Sequence, residues 1–233
     1  MRITIKDQRS FWNDLYAKNG KMYGNYPSQL AYDVMRFVFS RNRNFTKQDL
    51  CKIKALEVGG GYGRNARYIA EWGVNTTLLD ISSQSLQIAR EEGLERKLKL
   101  VEGDIISQKF DQEFDLVYAN FVFHIMNQEV RNSALLGSYK ATKKGGYFLS
   151  SFLSINDKDF DSLTKEEEIE TNTFLLREKP QHFFTSEEVN HLLTSTGFTV
   201  IILEQREDPE AIMQVCRNTL YWFAIAQRGE SDG

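Results

Sequence analysis

The sequence is poor in cysteine, proline and histidine, with two, three and three of them in 233 residues. Cys51 and Cys216 stand far apart, which excludes a disulfide framework and a paired-cysteine zinc spacing. No Pro-, Ser- or Gly-rich run reads as a linker, and no unit of roughly 20–50 residues repeats. The longest apolar run, Leu220 to Ala226, is too short to span a bilayer. Met1 to Asp7 hold no apolar core of a secretory leader, so none is expected. Basic charge is not in surplus either: 29 Lys and Arg face 32 Asp and Glu, which makes nucleic acid an unlikely partner. What remains is a globular, cytoplasmic chain long enough to bury a core without staples.

The pattern that is present is an alternation. Ser10 to Tyr16 carry apolar residues at helical spacing, and Ser28 offers a cap for a second helix with Leu30, Val34, Phe37 and Val38 on one stripe. From Lys54 short strands and helices take turns. Strands are expected at Ala55–Val58, Val74–Leu79, Leu98–Val101, Phe114–Ala119 and Tyr147–Phe152. Helices are expected over 65–72, from Ser82 or Ser83 to about Glu92, and over 128–142. This rhythm means crossover units and a mostly parallel sheet with helices on both faces. Phe198–Leu203 and Leu220–Ala226 read as a closing antiparallel pair at the sheet edge, interrupted by Pro209 and a short amphipathic stretch. Residues 155–180 are acidic and break the rhythm, as an insertion covering the carboxyl ends of the strands would.

The strongest motif is Glu57-Val58-Gly59-Gly60-Gly61-Tyr62-Gly63-Arg64-Asn65-Ala66. Glycines between a buried strand and a helix let backbone approach a ligand with no Cβ in the way. The run admits a dinucleotide register with Ala66 last, and no Gly-Lys-Ser/Thr follows to make a P-loop. Asp80, at the end of the second strand, suits the hydroxyls of a ribose, whether of NAD or of S-adenosylmethionine. Gly103-Asp104-Ile105 places another carboxylate on the same sheet edge, where Asp104 suits an adenine amino group and Ile105 its ring. Asn120-Phe121 and His124 follow the fourth strand, and Gly145-Gly146 turns into the fifth.

The ordered set resembles the class I S-adenosylmethionine-dependent methyltransferases. Phe183-Phe184-Thr185-Ser186-Glu187-Glu188-Val189 and Thr196-Gly197-Phe198 extend the likeness. Gly63-Arg64-Asn65 and Tyr23-Gly24-Asn25-Tyr26-Pro27-Ser28 are similar to the small-molecule enzymes of the thiopurine and tellurite-resistance type. The resemblance implies a three-layer, Rossmann-like α/β sandwich with a mostly parallel seven-stranded sheet and an antiparallel edge strand. Residues 1–45 would form a helical cap or lid, and 46–233 the methyltransferase domain with its insertion at about 155–180. S-adenosylmethionine would be the cofactor and a small molecule the acceptor. Gly59, Gly61 and Gly63 would line the methionine moiety, with Glu57 orienting that loop or contacting the next helix. Asp80 and Ile81 would meet the ribose, Asp104 and Ile105 the adenine, and Asn120 and Phe121 would lie beneath the sulfonium. A nicotinamide-dependent oxidoreductase and a non-catalytic binder of the same nucleoside are the alternatives.

Methyl transfer needs no loud catalytic signature, because the sulfonium brings its own activation. His124 is the candidate base or substrate contact. Tyr16 and Tyr23, with Phe11, Trp12 and Tyr26, are candidates for an aromatic cover over a cationic cofactor. His182 and His191 are weaker, His191 on a helix surface. Asp157 to Asp161 with Glu168 have the spacing of a calcium loop but Ser162 where its glycine should be, so no metal is expected. Proteolytic triad and zinc-helix signatures are missing. Asn120-Phe121-Val122-Phe123 lacks the prolines of nucleic-acid amine methylation, and two cysteines are too few for arsenic chemistry.

Overall fold

The computed structural model describes residues 5–41, 46–176, 179–212 and 215–230. Its helices are α1 Ile5–Asn19, α2 Gln29–Arg41, α3 Lys47–Leu50, α4 Arg64–Glu71, α5 Ser83–Glu91, α6 Gln128–Ala141, α7 Lys158–Leu163 and α8 Ser186–Thr196. Its strands are β1 Lys54–Val58, β2 Asn75–Asp80, β3 Lys99–Glu102, β4 Phe114–Asn120, β5 Thr142–Leu153, β6 Glu168–Glu170, β7 Thr173–Leu176, β8 Lys179–His182, β9 Phe198–Ile212 and β10 Val215–Arg228. Seven strands make one sheet in the order β3-β2-β1-β4-β5-β10-β9.

The central strands read as near-continuous apolar runs because helices cover both of their faces. Ala55, Leu116, Tyr118 and Leu149 pack with Leu30, Val34 and Ile69 on the α2/α4 side. Their neighbours Leu56, Val117 and Phe148 pack with Ala134, Leu135, Val189 and Leu193 from α6 and α8 on the other. Helix starts follow local chemistry: Ser82, Asn127 and Thr185 each accept a backbone N–H of the first turn of α5, α6 and α8. The chain lays strands outward from β1 to β3, then returns to place β4 on β1's other side. The reversal opens a crevice beyond the carboxyl ends of β1 and β4.

The mostly parallel seven-stranded sheet with a closing antiparallel pair at its edge is observed, β10 running antiparallel between β5 and the edge strand β9. Two sequence expectations are corrected. The closing strands run on through Pro209, which pairs opposite Asn218; β9 is the edge strand, where proline is tolerated. Ser28 precedes α2 without its hydroxyl capping it; the Gln29 N–H is taken instead by Asp208 Oδ2 at 3.2 Å, from β9. The acidic stretch forms α7 and the antiparallel sheet β6-β7-β8 around Leu163, Phe174 and Phe183. Each phenylalanine so buried contributes roughly 2–3 kcal/mol. Asp157, the first residue of the calcium-like run, caps α7 through the Asp159 N–H and accepts the Leu220 N–H at 2.8 Å.

Candidate functional site

A cavity of about 520 Å³ occupies the crevice. Its floor is the turn from β1 to α4. Gly59 donates its N–H to Leu79 O at 2.8 Å, and Gly61 donates to Asp80 Oδ2 at 2.7 Å, so the turn is sewn to the end of β2. Gly61 has φ +59° and lies so close beneath Tyr16 that a Cβ would come 2.5 Å from its hydroxyl. Gly59 and Gly61 both line the cavity, and a Cβ on Gly59 would come 2.8 Å from Val122. Gly63 is not on that wall: it starts α4 in the left-handed region at φ +82°, and a Cβ there would press on Leu78 and Leu94 at 3.0 and 3.1 Å.

Both strand-end carboxylates face the wall but are anchored to the protein. Buried Glu57 accepts Asn65 Nδ2–H at 3.0 Å and the Ala66 N–H at 2.9 Å, while Asn65 Oδ1 accepts the Ser28 N–H at 2.8 Å. The helix contact is therefore the observed one for Glu57, and through it the carboxyl also holds the turn. Desolvation pushes Glu57 up to about 8, against the downward pull of the Asn65 and Ala66 bonds and of Arg64. Asp80 Oδ1 accepts the Ser82 N–H at 2.8 Å and lies 3.1 Å from the Ser85 hydroxyl. Burial raises Asp80 too, opposed by its bonds to Ser82, Gly61 and Ser85. Asp80 Oδ1 is filled by its two bonds, whereas Oδ2, with the Gly61 N–H alone, keeps a further lone pair for a ligand. Ile81 completes this side of the wall.

The other strand ends add the remaining expected residues. Asp104 accepts the Ile106 and Ser107 N–H groups at 3.0 and 2.9 Å and the Ser107 hydroxyl at 2.7 Å. Ile105 is buried between the wall and the α6 side of the core. Asn120 ends β4, and Phe121 turns the chain at φ +51°, a conformation that costs a bulky residue strain and marks functional turns. The Ser151 hydroxyl on β5 holds that turn, accepting the Phe121 N–H at 2.8 Å and donating to Asn120 Oδ1 at 3.0 Å. His124 lies in the following 3-10 turn, its ring edge-on to Phe121 at 5.9 Å between centroids. His182, by contrast, is buried on the far face of β8 between the Thr173 hydroxyl and Glu188, at 2.7 and 2.8 Å, and burial lowers its pKa. His191 is exposed on α8.

The roof is α1 and the small sheet. Tyr16 is buried edge-on to Tyr62, and burial next to Asp80 raises its pKa. Tyr23 lies under the Arg64 guanidinium at 5.6 Å and donates its N–H to Tyr62 Oη at 3.1 Å. Phe11 and Trp12 reach the wall, whereas Tyr26 is 83% exposed and contributes no aromatic cover. Helix α1 is held by Gln8, which donates to Ile125 O at 3.0 Å, and by Asn13, whose Oδ1 accepts the Ser82 hydroxyl at 2.9 Å and the Gln84 N–H at 3.3 Å. Sequence reasoning missed Asn13, Ser151, Lys179 and Gln181. None carries a local motif, because each gains its role from a partner distant in the chain. Among the described residues no cluster of His, Cys, Asp or Glu could hold a metal ion, and no helix is long and apolar enough to cross a membrane.

A family profile described as a methyltransferase domain matches residues 56–150. A cypemycin N-terminal methyltransferase of Streptomyces sp is 33% identical over 104 residues, covering 44% of this chain and 41% of that one. The malonyl-[acyl-carrier protein] O-methyltransferase of Priestia megaterium is 22% identical over 215 residues, covering 91% and 74%. A probable S-adenosyl-L-methionine-dependent methyltransferase TehB of Haemophilus influenzae is 28% identical over 122 residues, covering 48% and 43%. The chain thus spans less than half the length of two of these three relatives. The crystal structure of a SAM-dependent methyltransferase from Methanosarcina mazei superposes with a TM-score of 0.68 at 22% identity, over 76% of this chain and 93% of that one, which shows the fold. Glycine backbone on the cavity wall, with carboxylates at the ends of β2 and β3, fits an adenosyl nucleoside with an amino-acid tail. Residues 56–150 thus match a methyltransferase domain, and the chain shares its fold with a SAM-dependent methyltransferase.

Proposed function

We propose that this protein is an enzyme that transfers the methyl group of S-adenosylmethionine to a small-molecule acceptor in a reducing cytoplasm. The observation that carries this reading is the cavity itself. One side is the glycine turn and the carboxylates of β2 and β3; the other is apolar and aromatic. Such a space, partly covered by α1 and the small sheet, suits a nucleoside cofactor beside a small acceptor.

When bound, the cofactor supplies a methyl group on a sulfonium, displaced in line with departure of a neutral thioether. The protein's share is position and dryness. The backbone of Gly59 and Gly61 receives the methionine end. Asp80 accepts from a ribose hydroxyl through the spare lone pair of Oδ2, with Ile81 beside it. Asp104 accepts from the adenine amino group, and Ile105 packs on the ring. Asn120 and Phe121, set by Ser151, lie beneath the cationic centre, where an aromatic face and an amide oxygen favour positive charge. Tyr16 and Tyr23 cover the site from the N-terminal segment, which acts as its lid. His124 stands beside Phe121 to contact the acceptor and to take a proton from an acceptor that arrives protonated.

Calorimetry with S-adenosylmethionine, S-adenosylhomocysteine and NAD tests the cofactor side, with binding expected for both sulfur nucleosides. Binding of NAD but neither sulfur nucleoside would overturn the reading. Release of S-adenosylhomocysteine in the presence of acceptors separates an enzyme from a non-catalytic binder.

A further inference from the structure

Resting on that reading, we propose that the acceptor is an uncharged planar molecule with a lactam or carboxamide edge, N–H beside C=O, and that Gln181 and Thr219 recognise that edge. The cavity continues beyond the glycine turn to Leu153, Leu176, Gln181 and Thr219 at the end covered by the small sheet. Side chains alternate along a strand. On β8 this sends Pro180 and His182 into the packed interior and leaves Gln181 on the cavity wall. On β10 it puts Thr219 on the face of Tyr221, whose ring meets Phe121 edge-on at 5.4 Å. Both residues hang from the carboxyl end of β5. Ser154 donates its N–H to Leu220 O at 3.0 Å, and Leu153 O accepts the Phe184 N–H, just past β8, at 2.8 Å. Strand β8 also packs against the 3-10 turn Phe123–Ile125, which carries His124.

Among the described residues neither the Gln181 carboxamide nor the Thr219 hydroxyl makes a hydrogen bond to the protein, although Thr219 is only 5% exposed. A buried polar group is ordinarily hydrogen-bonded, so a hydroxyl left open toward a cavity is available to a ligand. The charged groups at this end are not. Lys179 and Asp159, one of each sign on the wall, are both already engaged within the protein, Lys179 over the rings of Phe11 and Trp12. Between them they leave no surplus charge to draw an ionised acceptor. The groups that remain for recognition are neutral. A carboxamide offers one donor and one acceptor side by side, and a hydroxyl offers either. Their complement is an N–H next to a C=O. A carboxylate would turn one oxygen toward the Gln181 carbonyl, and an ammonium would turn an N–H toward the Gln181 NH2; a lactam satisfies both halves. The Phe11, Trp12 and Phe121 rings, with Leu153 and Leu176, suit the flat body that carries it.

The test uses the full chain saturated with S-adenosylhomocysteine. 2-Pyridone, 2-quinolone and 1-isoquinolone are titrated calorimetrically, each against its N-methyl derivative, with quinoline-2-carboxylate as the charged comparison. At least one lactam is expected to bind about tenfold or more tighter than its N-methyl derivative, because methylation removes the donor and leaves the Gln181 oxygen unpaired. Gln181→Leu should erase that preference, and Thr219→Val should weaken lactam binding about tenfold, with affinity for S-adenosylhomocysteine unchanged in both. Lactams that bind no tighter than their N-methyl derivatives, or not at all, overturn the proposal. So does a preference that survives Gln181→Leu, or tighter binding of the carboxylate than of every lactam. Unchanged lactam affinity in Thr219→Val overturns the part given to Thr219. Loss of S-adenosylhomocysteine binding in either variant also overturns the proposal, by making that residue a structural support. Failure of the wild-type chain to bind S-adenosylhomocysteine defeats instead the functional reading beneath.

Discussion

Replacing Asp80 with asparagine perturbs the joint between the cofactor turn and the sheet while preserving shape. The carboxylate holds the Gly61 N–H on Oδ2 at 2.7 Å and the Ser82 N–H on Oδ1 at 2.8 Å. An asparagine offers one acceptor and one donor at those two positions. Whichever way the amide turns, its NH2 group faces a buried backbone N–H. A hydrogen bond to a charged group contributes about 1.5–3 kcal/mol, and an orphaned buried donor costs about 1–3 kcal/mol. Relief from burying the charge, which raises the Asp80 pKa, opposes part of this loss. The expected net destabilisation is about 2 kcal/mol. It should appear in urea unfolding as a lower midpoint at unchanged slope. Because Gly61 belongs to the turn proposed to receive the cofactor, affinity for S-adenosylhomocysteine should fall about tenfold or more by calorimetry. An Asp80→Asn variant with wild-type midpoint and wild-type affinity would refute the argument that these two bonds hold the turn.

His124→Ala should lower turnover at saturating cofactor while S-adenosylhomocysteine still binds; unchanged kinetics with the true acceptor would take His124 out of the mechanism. Burial pushes Glu57 from 4.5 up to about 8, so the folded protein keeps a proton that the unfolded chain has lost. The stability from this group is complete below about pH 4.5 and is lost as pH rises through about 8. Urea unfolding at both ends of that window should therefore show a decline that Glu57→Gln, with no proton to lose, flattens; identical declines would contradict the assignment. Asn13→Ala removes the acceptor that joins α1 to the start of α5, at a cost of about 1 kcal/mol. Amide exchange in α1 should speed up and cofactor affinity weaken while β1 and β4 stay protected. Equal acceleration across the sheet would mean that Asn13 serves global stability instead.

The candidate site was legible where its chemistry is local. The glycine turn, Asp80 and Asp104 all sit at strand ends that apolar periodicity locates, and strand ends of a parallel sheet are where ligands bind. Gly63 shows the limit of that reasoning. Its place in the motif is local, but whether it faces a ligand or packs on Leu78 and Leu94 depends on the neighbouring strand and the turn after α5. Ser28 shows another, since the cap that its position suggests is supplied by Asp208. Ser151 and Asn13 act on residues 30 and 69 positions away, and no pattern along the chain announces such pairs.

By itself the sequence determined the alternation of strand and helix, the place of the glycine turn, and the family likeness. These rest on side-chain periodicity and backbone freedom over a few neighbouring residues. Only the tertiary structure decided that β10 sits between β5 and β9 and that Pro209 lies in an edge strand. It alone brings Tyr16 onto Gly61 and Lys179 onto Phe11 and Trp12 across the cavity. Such meetings are chosen by how helices and strands pack around a shared core, and that is a property of the folded chain as a whole.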